Sequence, residues 1–152
     1  MYGHSFGGTS TLMCLFEDSR FKCGLTLDGV IYKELINHDL NKPIMIMLAD
    51  NSFSSNSSNY LWNYLMNDAY QVTIIGSTHF AYTDVGILLK HLLPLIPPEL
   101  LGFGEIEPKR MVNITKSYEL AFFQAYLKES SKENINNLVD VFPEVIFKSK
   151  NL

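Results

Sequence analysis

The 152-residue sequence is short of concentrated charge, cysteine and long apolar runs, and each shortage removes a class of function. Twelve basic residues stand against sixteen acidic ones, a net charge of −4, and no basic stretch exceeds the Lys109-Arg110 pair. Phosphate binding needs clustered positive charge, so nucleic acid is not an expected partner. The longest apolar run, near Ile87 to Ile96, is broken by Lys90, His91 and Pro94 and is too short to span a bilayer. Met1 leads directly into a glycine-rich turn rather than a secretory signal, which favours the cytoplasm as long as no leader precedes it; the location is otherwise undefined. Two cysteines, Cys14 and Cys23, cannot define a disulfide framework, and both lie in apolar patterns that read as buried thiols.

What remains is a globular composition, 47% hydrophobic and 18% charged, at the length of one ordinary domain. Thr9 to Phe16 has the spacing of a helix, and Phe21 to Leu27 reads as a strand stopping at the turn Asp28-Gly29. Pro43 to Ala49 is almost continuously apolar, as a strand buried on both faces of a parallel sheet would be, and runs into Asp50. The polar stretch Asn51 to Asn59 reads as a loop and cap before a helix over Tyr60 to Asn67. Gln71 to Ile75 is a β-branched strand ending in Gly76-Ser77-Thr78-His79. Helical patterns follow over Thr83 to Leu93 and, after an irregular connection to Pro108, over Asn113 to Lys128, with Tyr118, Leu120, Ala121, Phe122, Ala125 and Tyr126 available for burial. The tail from Ser130 has no assignable pattern. Strands alternating with helices argue for an α/β fold with a parallel sheet and flanking helices.

The chemistry begins at Gly3-His4-Ser5-Phe6-Gly7, a G-x-S-x-G sequence followed at once by a helical pattern. Such an elbow holds a serine on a sharp turn between strand and helix, with glycines where the backbone packs closely; Gly3, Gly7 and Gly8 supply them. The backbone amide of Phe6 would face a developing oxyanion, helped by the positive end of the helix. A serine hydroxyl also needs a base to take its proton and a carboxylate to orient that base. His79 follows a strand end directly, where an open parallel sheet presents its ligand-facing loops, and is the leading candidate. His4 lies inside the elbow with its side chain expected to point away from the attacking position, His38 sits in a polar loop, and His91 falls within a helical pattern. Asp28 and Asp50 each end a strand, and spacing does not choose between them.

The run Gly3-His4-Ser5-Phe6-Gly7-Gly8, followed by Glu17-Asp18-Ser19-Arg20-Phe21-Lys22-Cys23-Gly24 and a strand ending in Leu27-Asp28, resembles the platelet-activating factor acetylhydrolase family, the plasma and intracellular type II esterases. Gly76-Ser77-Thr78-His79 looks like the family's G-S-x-H, and the segment with Lys116-Ser117 and Ala121-Phe122-Phe123 looks like its terminal helix. The resemblance implies an α/β-hydrolase fold with Ser5 as nucleophile, His79 as general base and Asp28 as the acid that orients it. It also implies hydrolysis, without calcium or any other metal or cofactor, of the short or oxidised acyl group at the second glycerol position of a phospholipid. The expected partners are thus a phospholipid or small ester substrate, with transient contact to a membrane or lipoprotein surface. Phe80 to Asp84 match the family pattern only loosely and the Ser52 to Ser58 loop has no counterpart in it, so substrate choice is left open.

An α/β hydrolase usually places several strands and an oxyanion loop before the elbow. Residues 1–152 are therefore expected to form the C-terminal part of such a domain, beginning at the elbow, with an exposed apolar edge on the sheet. Two other readings remain: a different carboxylesterase of this fold, dienelactone-hydrolase-like and oriented by Asp50, and a catalytically incomplete fragment.

Overall fold

A computed structural model describes residues 1–36, 39–88, 102 and 104–150. Five strands, β1 (Tyr2–His4), β2 (Gly24–Leu27), β3 (Ile44–Ala49), β4 (Ala69–Ile74) and β5 (Val145–Lys150), form one sheet in the order of the sequence. The first four run parallel, as expected for an α/β fold, and β5 returns antiparallel to β4. The helices are α1 (Phe6–Glu17), α2 (Ser55–Trp62), α3 (Val85–Leu88), α4 (Pro108–Leu127), α5 (Glu133–Asn136) and α6 (Leu138–Val141), with 3₁₀ turns at Lys33–Leu35 and His79–Tyr82.

Side chains alternate across a strand, and this alternation sorts the core into two layers. Met45 and Met47 of β3 join Leu25 and Leu27 of β2 and Tyr70, Val72 and Ile74 of β4 beneath Met111, Ile114, Tyr118 and Phe122 of α4. Ile44, Ile46 and Leu48 point the other way, packing with Leu12 and Leu15 of α1 and Leu61 of α2. All six residues of β3 are buried, which is why its sequence is apolar throughout rather than alternating. Full burial of such side chains contributes roughly 1.5–3 kcal/mol each, so β3 is the spine of the domain.

The register aligns the strand ends. His4 pairs with Leu27, Leu27 with Met47, and Met47 with Val72. Ser5 and Asp28, each following its strand directly, therefore leave the sheet side by side.

Several expected boundaries shift. Helix α1 begins at Phe6 rather than Thr9, because the elbow itself supplies the first turn. The serine- and asparagine-rich stretch read as a loop is helical from Ser55, and α2 ends at Trp62 rather than Asn67. Such side chains compete with the backbone in isolated helices; here Ser58 is buried and its hydroxyl donates to Gln71 Oε1 of β4 at 3.2 Å. Helix α4 starts five residues earlier than expected, with Pro108 in its first turn and the Glu107 carboxylate accepting from Arg110 N at 2.8 Å. On that helix Leu120 is exposed, whereas Tyr118, Ala121, Phe122 and Ala125 are buried. Cys23 is buried as expected, but Cys14 is only half-buried. The expected helix over Thr83 to Leu93 is described only as far as Leu88, and the rest lies outside the described residues.

Candidate active site

Ser5 occupies the turn between β1 and α1 with φ 55° and ψ −122°, a backbone conformation that L-residues adopt only under constraint. Hydrogen bonds supply it: Ser5 N donates to the Leu27 carbonyl at 2.9 Å, and the Ser5 carbonyl accepts from Gly8 N at 2.9 Å and Thr9 N at 3.2 Å. Packing supplies the rest. A Cβ on Gly3 would overlap the carbonyl carbon of Gly7, and one on Gly8 would meet the Gly29 Cα at 2.9 Å. Gly7 is the exception to the expectation for the three elbow glycines, since a Cβ there would face open space.

From this turn the Ser5 hydroxyl reaches His79, 2.9 Å from Oγ to Nε2. On the other side of the ring, His79 Nδ1 lies 2.7 Å from Asp28 Oδ2. A carboxylate only accepts, so the proton is on Nδ1, and the Nε2 lone pair is left to accept from the Ser5 hydroxyl. Asp28 is buried, and its second oxygen takes the Ala49 amide at 3.0 Å. Its backbone has φ 46°, and its N–H donates to the Met47 carbonyl at 2.7 Å, so the end of β3 fixes the carboxylate from two sides. The structure thus brings together Ser5, His79 and Asp28.

Asp50, the other strand-end aspartate, faces elsewhere. Its Oδ2 accepts from the Gly76 amide at 2.9 Å, and its own N–H donates to the Ser77 carbonyl at 3.3 Å. It pins the turn before His79 rather than the ring. Phe6 is the first residue of α1, where a backbone N–H has no acceptor within the helix.

A cleft of about 330 Å³ opens over Ser5, lined by Asp28, Val30, Phe53, Ser54, His79 and Phe80. Of its lining, Phe53 and Phe80 are 97% and 57% exposed, and Phe6, the residue after Ser5, is 72% exposed, so bare aromatic surface accumulates near the Ser5 hydroxyl. His38 and His91 lie outside the described residues. Among the described residues no three His, Cys, Asp or Glu side chains are grouped as metal ligands, and no helix is long and apolar enough to cross a membrane.

The family model described as "Platelet-activating factor acetylhydrolase, isoform II" matches residues 1–145. The chain belongs to this family. Two relatives named platelet-activating factor acetylhydrolase, from Cavia porcellus and Gallus gallus, are 26% and 27% identical over 82% and 95% of the chain. A probable 1-alkyl-2-acetylglycerophosphocholine esterase from Arthroderma benhamiae is 24% identical over 97% of it. The chain spans 29%, 35% and 42% of the length of these three proteins. Among solved structures, a ferulic acid esterase from Streptomyces cinnamoneus superposes with a TM-score of 0.83 at 27% identity, covering 96% of this acetylhydrolase-family chain and 45% of that one.

His4 is the residue whose place the sequence does not disclose. Rather than standing apart from the site, its ring lies against that of His79, with centroids 4.6 Å apart and a 35° tilt. Nothing in the sequence around His4 discloses this, because the contact forms only when the His79 turn, 75 positions on, returns to the end of β1.

Proposed function

We propose that this chain carries the catalytic triad of a serine esterase, and that its substrate is the acetyl or other short acyl ester at the second glycerol position of a phospholipid. The observation that carries the reading is the continuous hydrogen-bonded line from Ser5 Oγ through the His79 ring to the buried Asp28 carboxylate. Ser5 Oγ attacks the ester carbonyl carbon while its proton passes to His79 Nε2. The bond to the alcohol oxygen then breaks, and His79 returns the proton to that leaving oxygen. Water adds to the acyl-Ser5 ester, again giving its proton to His79, and the acid departs with Ser5 restored. Asp28 holds the ring and stabilises the imidazolium that forms twice in the cycle, and the Phe6 amide donates to the oxyanion. The substrate class rests on family membership and on the names of the relatives, and the apolar walls of the cleft suit an acyl or glyceryl chain.

Two points favour Asp28 over Asp50 as the orienting acid: the 2.7 Å approach of Asp28 to Nδ1, and the engagement of Asp50 with Gly76. The test is covalent labelling of the folded chain by a fluorophosphonate ester, with Ser5→Ala as control, followed by turnover of esters of increasing acyl length. Labelling at Ser5 and a preference for acetyl over long-chain esters are expected. A folded chain whose Ser5 stays inert would overturn the reading.

A further inference from the structure

We propose that His4 is a positioning residue for His79: it ties the strand that delivers the nucleophile to the turn that delivers the base. The inference rests on the esterase reading above and assigns a role to a side chain which that mechanism leaves idle. Three contacts carry it. His4 Nε2 lies 3.0 Å from the main-chain carbonyl oxygen of His79, and since a carbonyl only accepts, His4 is the Nε2–H tautomer donating to it. Its ring lies 4.6 Å from the His79 ring and 6.2 Å from that of Tyr82. His79 and Tyr82 are the first and last residues of one 3₁₀ turn, so His4 grips both ends of the segment that presents the base.

The arrangement suits a clamp rather than a second acid or base. The half-buried His4 ring has its pKa held below the usual histidine value, first by burial and further by the neighbouring His79, against the opposing pull of the hydrogen bond to His79 and of the Asp28 carboxylate. A neutral ring can lie in this tilted contact with an imidazolium without repelling it, which the cycle requires each time His79 takes a proton. The lever is short: His4 precedes Ser5 directly, so the bond to His79 O fixes the separation of Ser5 Oγ and His79 Nε2 from the backbone side. Misplacing reacting groups by about 1 Å can cost ~10²-fold in rate.

The experiment compares His4→Phe, which keeps a flat ring without the donor, with His4→Gln, whose Nε2 amide keeps the donor without the ring. Two quantities are read in each folded variant: the labelling of Ser5 by a fluorophosphonate, separated into its maximal rate and its half-saturating concentration, and the downfield proton signal of His79 Nδ1–H. H4F is expected to label at least about tenfold more slowly at saturation, with the half-saturating concentration unchanged, and to lose the proton signal to exchange; H4Q restores both. The proposal is overturned if H4F matches wild type in both readings, or if H4Q is impaired as much as H4F, which would make His4 a packing residue only. Should H4F fail to fold, His4→Met, also without a donor, takes its place. Should wild type itself leave Ser5 unlabelled, the esterase reading fails, and the His79 proton signal across the variants decides the role of His4.

Discussion

The backbones of Gly8 and Gly29 touch: a methyl group on Gly8 would come within 2.9 Å of the Gly29 Cα, and one on Gly29 within 2.9 Å of the Gly8 Cα. Gly8 lies in the first turn after Ser5, and Gly29 directly follows Asp28. Ser5 and Asp28 are therefore held at a fixed separation by main chain against main chain, with no side chain between to relax.

This contact separates two glycines that look alike in the sequence. Gly8→Ala must push two backbones apart and is expected to destabilise the fold by about 1–3 kcal/mol, the range for overpacking a filled site. Gly7→Ala has open space around its Cβ in the first turn of α1 and is expected to stabilise by about 0.5–1 kcal/mol, since alanine loses less freedom in a helix. Chemical denaturation of the two variants checks the opposite signs.

The two strand-end aspartates are expected to separate in the same way. Asp28→Asn leaves the shape intact but gives His79 Nδ1 an ambiguous partner, and turnover should fall by about 10⁴-fold, the scale of that substitution in other serine triads. Asp50→Asn keeps a carbonyl oxygen for the Gly76 amide, so turnover should stay within a few-fold of wild type. Single-turnover acylation rates measure both, and a collapse in Asp50→Asn with survival of Asp28→Asn would move the acid to the other strand.

A third prediction concerns pH. Arg110 of α4 grips Glu144, just before β5, through two bonds, Nε to Oε1 at 2.7 Å and Nη2 to Oε2 at 2.9 Å. The guanidinium holds the Glu144 carboxyl below its usual value. A carboxyl depressed in the folded state contributes stability that is present above its unfolded-chain value and is lost as pH falls through the lower folded one. Glu144→Gln should therefore melt about 2–4 °C below wild type at neutral pH, and the gap should close as the pH drops below the ordinary glutamate range. Melting curves across pH 2 to 7 test this ~5-unit span; a gap that persists at the acid end would mean the pair acts through packing alone.

The elements legible in the sequence are those where local pattern and tertiary demand agree. The continuous apolar run of β3 announces burial on both faces, and the elbow motif announces a turn that only a strand and a helix can flank. What escaped depends on distant partners. The first turns of helix α2 are hidden because serine and asparagine read locally as caps, and nothing near Ser58 reveals that its hydroxyl will meet Gln71. Strand β5 is hidden because its side is set by pairing with β4 residues 71 or more positions away. His79 and Asp28 could be nominated from strand ends; spacing alone leaves Asp50 open, the family resemblance points to Asp28, and the 2.7 Å approach of Asp28 to the His79 ring is visible only once the sheet is assembled. The contact of His4 with His79 spans 75 positions and leaves no trace in either segment.

The left-handed backbone at Ser5 has one more consequence. A residue held at φ 55° stores on the order of 1–3 kcal/mol that glycine would not. Ser5→Ala and Ser5→Gly both remove the hydroxyl, yet the usual order of these two residues in a structured segment should invert, the glycine variant melting higher than the alanine one. The exchange measured that way is between durability and geometry: the fold holds the Ser5 hydroxyl against His79 by remaining less stable than the sequence around it would allow.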